Sequence, residues 1–329
     1  MRLKIGNVSI DGLAALAPMA GVADRAFREL CVRFGASYVV SEMVSARGIS
    51  FFNDKTINLL RISRNEHPCA IQIFGDDPDI MANAAAFALK YEPDIIDINF
   101  GCPAPKVNKS GGGAILMKSP ELCARIVAGV KRVVNIPVTV KIRTGWNSSS
   151  VNAPFVAKLC ENSGADAIII HGRTRDQMFR PGVDLDTIAK VKASVSVPVI
   201  GNGDITCGQD AYNMLHHTEC DMIMVGRAAL GNPWVFSEVN HFLDPSNYPY
   251  TPPSIEEKLQ VMLFHTGSIC RNEGETLGIM KARRHIISYI RGIPFASAFR
   301  DRASRVTCMR DVEVLAEEIL NTCRNDAIC

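Results

Sequence analysis

The 329-residue chain lacks a long apolar run. A bilayer-spanning helix needs about 20 consecutive apolar residues. The longest uncharged apolar stretch near the N-terminus, Leu13–Ala23 (LAALAPMAGVA), is much shorter. Asp11 stands just before it and Pro18 interrupts it, so it reads as the start of a folded domain and not as a leader. Zinc spacing is also missing: there are 11 cysteines, but no CxxC and no Cys/His cluster. An odd number of cysteines scattered over a long chain implies reduced thiols, no structural metal and a cytoplasmic protein. Net charge is only +2, which by itself indicates no nucleic-acid partner. No GxGxxG follows the first strand-like segment, which argues against a doubly wound dinucleotide fold.

What is present is a rhythm. Runs rich in Val, Ile and Ala occur at Leu13–Met19, Ser37–Met43, Cys69–Phe74, Asp94–Phe100, Pro137–Ile142, Asp166–His171, Pro198–Gly203 and Asp221–Gly226. They are continuously apolar, as parallel strands covered on both faces are. Amphipathic helices fit between most of them, at Asp24–Phe34, Pro78–Tyr91, Pro120–Val134, Asn152–Ser163, Asp184–Ser194 and Gly208–His217, with Pro233–Phe242 after the last. Strand starts fall about 30 residues apart, the length of a βα unit. Eight such units predict an α/β fold, a TIM (β/α)8 barrel over residues 1–243.

One repeat is too long. The excess is the loop NFGCPAPKVNKSGGGA, Asn99–Ala114, which holds Cys102 between glycine and proline. Loops at the C-terminal ends of barrel strands carry the chemistry of this fold. Cys102 therefore sits where a nucleophile, an acid or a plain turn residue are all open readings; a metal ligand lacks partners. Polar residues end six of the strands: Gln72, Asn99 with Cys102, Lys141 with Arg143, His171 with Arg173, Asn202 with Asp204, and Arg227. Any one could simply cap a strand; six together point to a site. Gly201, Gly203 and Gly226 follow strands seven and eight, where this fold often binds phosphate. Arg227 would add a charged contact. Lys141 would either form a Schiff base or neutralise a bound cofactor.

After Phe242 the pattern changes. LDPSNYPYTPPS carries four prolines and reads as a linker, placed at 244–254. Residues 255–329 read as a small all-helical domain, with helices at Ile255–Asn272, Leu277–Ile290 and Asp311–Cys323 and a shorter one near Phe295–Arg302. Between Gly278 and Arg310, Lys281, Arg283, Arg284, Arg291, Arg300, Arg302, Arg305 and Arg310 face one acid, Asp301. Such a segment is either a solvated helix face or a patch for an RNA backbone.

In order along the chain, APMAGVADRAFR, QIFG, DINFGCPAPKVNKSGGGA, VKIRTGW, HGRTR, GNGDI and VGRAALGNPW resemble the tRNA-dihydrouridine synthases, and within them the bacterial DusB type. The resemblance implies FMN-dependent reduction of a D-loop uridine in tRNA, with NADPH as electron donor. It implies FMN contacts at Pro18, Met19, Ala20, Gln72, Lys141 and His171. The phosphate end falls on Asn202, Gly203, Asp204, Gly226 and Arg227. Cys102 is implied as the general acid, a role a thiol with pKa about 8.5 suits, since it is largely protonated at neutral pH. Asn99 is expected to orient the base. Arg173, Arg175, Lys281, Arg283, Arg284 and His285 complete the expected RNA contacts of a monomer. Two departures from the DusB type, the loop sequence from Pro105 and Ser288 in RRHIISYI, bear on the tRNA subtype.

The competing readings are a flavin barrel acting on a small molecule such as a dihydropyrimidine or dihydroorotate, a non-catalytic RNA-binding barrel, and a Schiff-base aldolase built on Lys141. A small substrate has no use for the basic helical segment.

Overall fold

The computed structural model describes residues 2–326. It begins with an antiparallel hairpin, β1 (Arg2–Ile5) and β2 (Val8–Asp11), that the apolar pattern did not announce. Gly6 supplies the positive φ, 56°, that so tight a turn requires. Ile5 and Ile10 are fully buried among Ala15, Tyr38, Ala70 and Ile95 from the first halves of the barrel strands. The hairpin therefore plugs the N-terminal end of the barrel.

The barrel strands are β3 (Ala14–Leu16), β4 (Tyr38–Val40), β5 (Val44–Ser45), β6 (Cys69–Phe74), β7 (Ile95–Asn99), β8 (Val138–Arg143), β9 (Ala167–His171), β10 (Val199–Asn202) and β11 (Met222–Val225). Their order is β4-β3-β11-β10-β9-β8-β7-β6-β5, all parallel, and a β4–β6 pairing closes the ring. These are the eight expected staves, with the second split into β4 and β5. The break falls at Ser41–Met43, where Ser41 Oγ accepts from the Gln72 N–H at 3.0 Å in place of a ladder carbonyl.

Outside the ring run α1 (Arg25–Arg33), α2 (Ala46–Ser50), α3 (Asp54–Asn58), α4 (Pro78–Ala88), α5 (Pro105–Lys109), α6 (Pro120–Val133), α7 (Ala153–Asn162), α8 (Leu185–Ser194), α9 (Gly208–Thr218) and α10 (Val235–Leu243). Asp24, Asp77 and Asp184 cap three of these with their carboxylates. One apolar core lies between strands and helices.

A second core joins the C-terminal helices α11 (Ile255–Glu273), α12 (Glu275–Tyr289), α13 (Ala296–Ala303) and α14 (Met309–Asp326) to Ala26 and Trp234 of the barrel. Gly231, at φ 67°, makes that join possible: a Cβ there would lie 2.3 Å from the carbonyl carbon of Ser288. No helix among the described residues is long and apolar enough to cross a membrane, and none of their side chains form a group that could hold a metal ion.

Between barrel and tail lies a buried imidazole pair. His265 and His285 have ring centroids 4.5 Å apart, and both pack on Phe27. Burial holds His285 down to about 4 and His265 well below the ordinary imidazole range. The sequence expectation of an RNA contact at His285 is corrected here: the ring is in the core because its helix face docks on α1. An unfolded imidazole titrates near 6.5, so below that pH the unfolded chain binds a proton the folded chain refuses. Stability is thus lost as pH falls from about 6.5 to about 4, on the order of 3 kcal/mol for His285 alone. The melting temperature should drop through that window, and His285→Gln should flatten the drop; equal slopes in both proteins would contradict this.

Candidate active site

The C-terminal ends of the barrel strands surround a cavity of about 880 Å³. Polar side chains reach it by strand periodicity: on β8, Thr139, Lys141 and Arg143 alternate inward between Val140 and Ile142. Pro18, Met19 and Ala20 line it beyond β3, with Gln72 from β6 and Asn99 and Cys102 from the end of β7 and its loop. Lys141, His171 and Asn202 come from β8, β9 and β10, and Gly203, Asp204, Gly226 and Arg227 from the loops after β10 and β11. The whole expected cofactor set therefore faces one space.

That space is strongly positive. Lys141, Arg143, Arg173, Arg227, Arg284 and Arg291 line it against a single carboxylate, Asp204. His171 is held neutral by burial and by the neighbouring Lys141, Arg143, Arg173 and Arg227. Burial and Arg143 lower Lys141 to about 8, and its ammonium donates to Asn202 Oδ1 at 3.1 Å, leaving further protons for a ligand. At Gly226 an added Cβ would meet no protein atom closer than 3.7 Å. The backbone there, at φ −112° and ψ −108°, lies outside the regions that L side chains favour, so glycine serves the turn and also leaves the cavity beside it open.

Cys102 is held by a chain of hydrogen bonds that starts in the barrel interior. The Asp97 carboxylate, fully buried, accepts from Thr139 Oγ1 at 2.5 Å and Gln72 Nε2 at 2.6 Å. Burial raises this carboxyl to about 6. Gln72 Oε1 accepts from Asn99 Nδ2 at 2.8 Å, and Asn99 Oδ1 accepts from the N–H groups of Gly101 at 3.1 Å and Cys102 at 2.8 Å. A carboxylate has acceptors alone, so it fixes which way the Gln72 amide points, and that fixes Asn99. Burial raises the Cys102 thiol above the usual thiol range, partly opposed by the Ala104 N–H, Arg143 and Lys141. The group is a neutral thiol at pH 7.

Other expected residues are placed differently. Both oxygen lone pairs of Asn99 and one amide hydrogen are engaged, and the other approaches Met43 Sδ at 3.8 Å, so its amide anchors the Cys102 turn while the residue lines the cavity. Arg173 is 1% exposed and bonded to Arg180 O at 2.6 Å and to Asp204. Arg175 lies outside the cavity lining, against the Trp146 ring and paired with Asp176. Arg283 gives its guanidinium to Val306 O at 3.0 and 2.8 Å, an internal tether between α12 and the turn after α13. Lys281 is exposed and pairs with Glu273 at 2.8 Å. Arg284 alone of that basic cluster lines the cavity.

Asp97, Thr139 and Phe179 were not singled out from the sequence. The signal for the first two was there: a polar residue two before each strand-end polar residue, inside otherwise apolar runs.

A closed parallel barrel with a cationic cavity and a protonated thiol at its strand ends is a TIM barrel with its candidate active site where that fold places it, and comparison with known proteins gives the family. A family model for dihydrouridine synthase (Dus) matches residues 15–326. The tRNA-dihydrouridine synthase B of Vibrio cholerae is 42% identical over 299 residues, 91% of this chain and 92% of that protein. A probable tRNA-dihydrouridine synthase of Rickettsia conorii is 41% identical over 318 residues, 96% of this chain and 95% of that one. Among solved structures, histamine dehydrogenase from Rhizobium sp. 4-9 superposes with a TM-score of 0.61 at 14% identity, over 81% of this chain and 50% of that one. A variant of NCR from Zymomonas mobilis gives 0.55 at 16% identity, over 78% and 94%. These two share the fold. The chain belongs to the dihydrouridine synthase family.

Asn99→Ala would leave Gln72 Oε1 and two backbone N–H groups without partners. A buried group left unsatisfied costs about 1–3 kcal/mol. The urea midpoint should fall accordingly, and the Cys102 amide should lose hydrogen-exchange protection. An unchanged midpoint with full protection would show that the chain of bonds does not hold the loop.

Proposed function

We propose that the chain reduces a uridine in the D-loop of tRNA to 5,6-dihydrouridine, with FMN as bound cofactor and NADPH as electron donor. The observation that carries this is the neutral thiol of Cys102 facing a cavity lined by six cations and one carboxylate. The fit of FMN is supported by the open cradle at Gly226, the free ammonium protons of Lys141 and the excess of positive charge. A single phosphate needs one compact anion site, and the loops after β10 and β11 supply Gly203, Gly226 and Arg227.

A flavin held there by Lys141, Gly203, Gly226 and Arg227 would supply hydride chemistry, with NADPH as the source of electrons, for C6 of the uracil. Lys141 sets positive charge beside the cofactor. Cys102 holds the proton for C5 at Sγ and recovers it from solvent. Arg143 and Lys141 stabilise the thiolate left behind, as both carry positive charge beside Cys102. Arg284 and Arg291 meet tRNA phosphates at the cavity rim; both are exposed.

Three measurements test the reading. Denaturing the protein and chromatographing the released cofactor should give FMN; FAD, or no flavin from folded protein, would exclude it. Incubation with NADPH and unmodified tRNA should yield dihydrouridine by nucleoside mass spectrometry. Cys102→Ala should fold and keep flavin yet lose about 100- to 10,000-fold of that yield rate, the usual worth of a positioned acid. A wild-type rate in this variant would leave Cys102 a turn residue.

The rim is tested separately. Arg284→Ala with Arg291→Ala should weaken tRNA binding and reduce the slope of log K against log salt by about 0.7–0.9 for each lost phosphate contact. Arg283→Ala should instead lower the melting temperature. An unaltered slope in the double variant would take these arginines out of RNA binding.

A further inference from the structure

The segment 174–180, between β9 and α8, presents an aromatic ring where burial would be expected. Phe179 lines the mouth of the cavity and is 50% exposed. A single exposed apolar side chain on a loose loop would need no explanation. This loop is not loose. Arg143 Nη1 donates to Thr174 O at 2.8 Å and to Met178 O at 3.0 Å, and Arg173 Nε donates to Arg180 O at 2.6 Å. Within the loop, Thr174 N–H donates to Gln177 Oε1 at 2.7 Å and Arg180 N–H to Gln177 O at 2.9 Å. Met178 is held at φ 53°, in the left-handed region that a long side chain enters at a cost of order 1–3 kcal/mol.

The two arginines that pin the loop are 2% and 1% exposed. A buried guanidinium must satisfy its donors with fixed acceptors. Here three of those acceptors are carbonyls of this loop, those of Met178 and Arg180 on either side of Phe179 and that of Thr174 at its start, so the backbone that carries the ring is held by buried charges. Two guanidiniums stand over the ring, with Arg227 Cζ 5.2 Å and Arg143 Cζ 5.7 Å from its centroid, and the 50% exposure of Phe179 leaves part of it open at the cavity mouth. Arg227 is exposed, and it pairs with Asp204, which also holds Arg173. A fixed, half-exposed aromatic face at the entrance of a cationic cavity is what a base-stacking contact requires. It loses little entropy on binding, every base offers a π face, and the adjacent cations draw in the polyanion.

We propose that Phe179 is the stacking platform for an unpaired nucleobase of the RNA at the mouth of the cavity. This rests on the tRNA reading above and adds a binding residue to it. Stacking tolerates any base, so Phe179 contributes affinity and placement while leaving base choice to other groups. Arg143 couples the platform to the reacting loop, because its Nε also donates to Gly101 O at 2.8 Å, next to Cys102.

The test compares the flavin-loaded wild type with Phe179→Leu, Phe179→Tyr and Phe179→Trp at matched flavin content and melting temperature. Leu keeps an apolar side chain without a π face; Tyr and Trp keep the face. Dissociation constants for an unmodified tRNA transcript come from filter binding, and kcat and KM from dihydrouridine formation. Phe179→Leu should raise Kd and KM about 5- to 100-fold, the loss of one base–aromatic stack, with a much smaller change in kcat. The Tyr and Trp variants should stay within about threefold of wild type. Leu within twofold of wild type in Kd and KM would overturn the proposal, as would an effect confined to kcat. A wild type that neither binds tRNA nor forms dihydrouridine would defeat the tRNA reading itself, and the platform with it, a result distinct from a functional wild type with a silent Leu variant.

Discussion

The site is built around one buried charge, the guanidinium of Arg143. It ends β8 with 2% exposure, where an unpaired cation would be prohibitive. Its partners are all main-chain oxygens: Gly101 O from the Cys102 loop, and Thr174 O and Met178 O from the loop after β9. A single side chain on β8 therefore fixes the loops after β7 and β9, the strands on either side of its own. Burial, opposed by the nearby Cys102, lowers Arg143 to about 10, so it stays charged at neutral pH and the constraint persists. Lysine could not replace it, since one compact ammonium cannot span three carbonyls on two loops.

Beneath that constraint lies the second fixed charge, Asp97. The ladder places it opposite Thr139 on β8 and Gln72 on β6, and both donate to it. Cys102 is thus held from two sides: through Asn99 from the barrel interior, and through the Gly101 carbonyl from Arg143. A side chain that acts on a bound ligand must be held within about 0.5 Å of its working position. Two independent anchors on adjacent peptide groups supply that alignment without any contact to the sulfur itself.

The eight staves were legible because parallel strands buried on both faces write continuous apolar runs, and the runs ended where polar residues enter the cavity. Cys102 stood out because its loop made one repeat too long. The hairpin Arg2–Asp11 was not legible: its strands are four residues each and mix charged with apolar positions, while Ile5 and Ile10 matter only once the barrel exists to be plugged. The basic segment misled in part. Lys281, Arg283, Arg284 and His285 are consecutive or nearly so, but a helix turns 100° per residue and sends them to different surroundings. Arg283 reaches Val306, His285 enters the core, and Arg284 reaches the cavity. Sequence counts charge; the helix decides where each one acts.

The barrel and the helical tail meet in backbone contact at Gly231 and line one cavity together. That glycine lets the end of α12 approach the loop after β11 at backbone contact, so Arg284, Ser288 and Arg291 join Cys102 and Lys141 in lining one cavity. Arg284 Nη1 also reaches Gly21 O at 3.4 Å, and the Gly21 N–H is bonded to Glu42. Gly21 lies between Ala20 and Val22, both of which line the cavity after β3. A phosphate drawing Arg284 outward would compete with this carbonyl and pull on the segment that lines the cavity. Backbone contacts of this kind carry no sequence information. Their position gives them a second effect here, because the same side chain that would hold the RNA braces the wall of the site. The net charge of +2 conceals this arrangement: the ligand meets the local field of six cations converging on one opening, not the average over the chain.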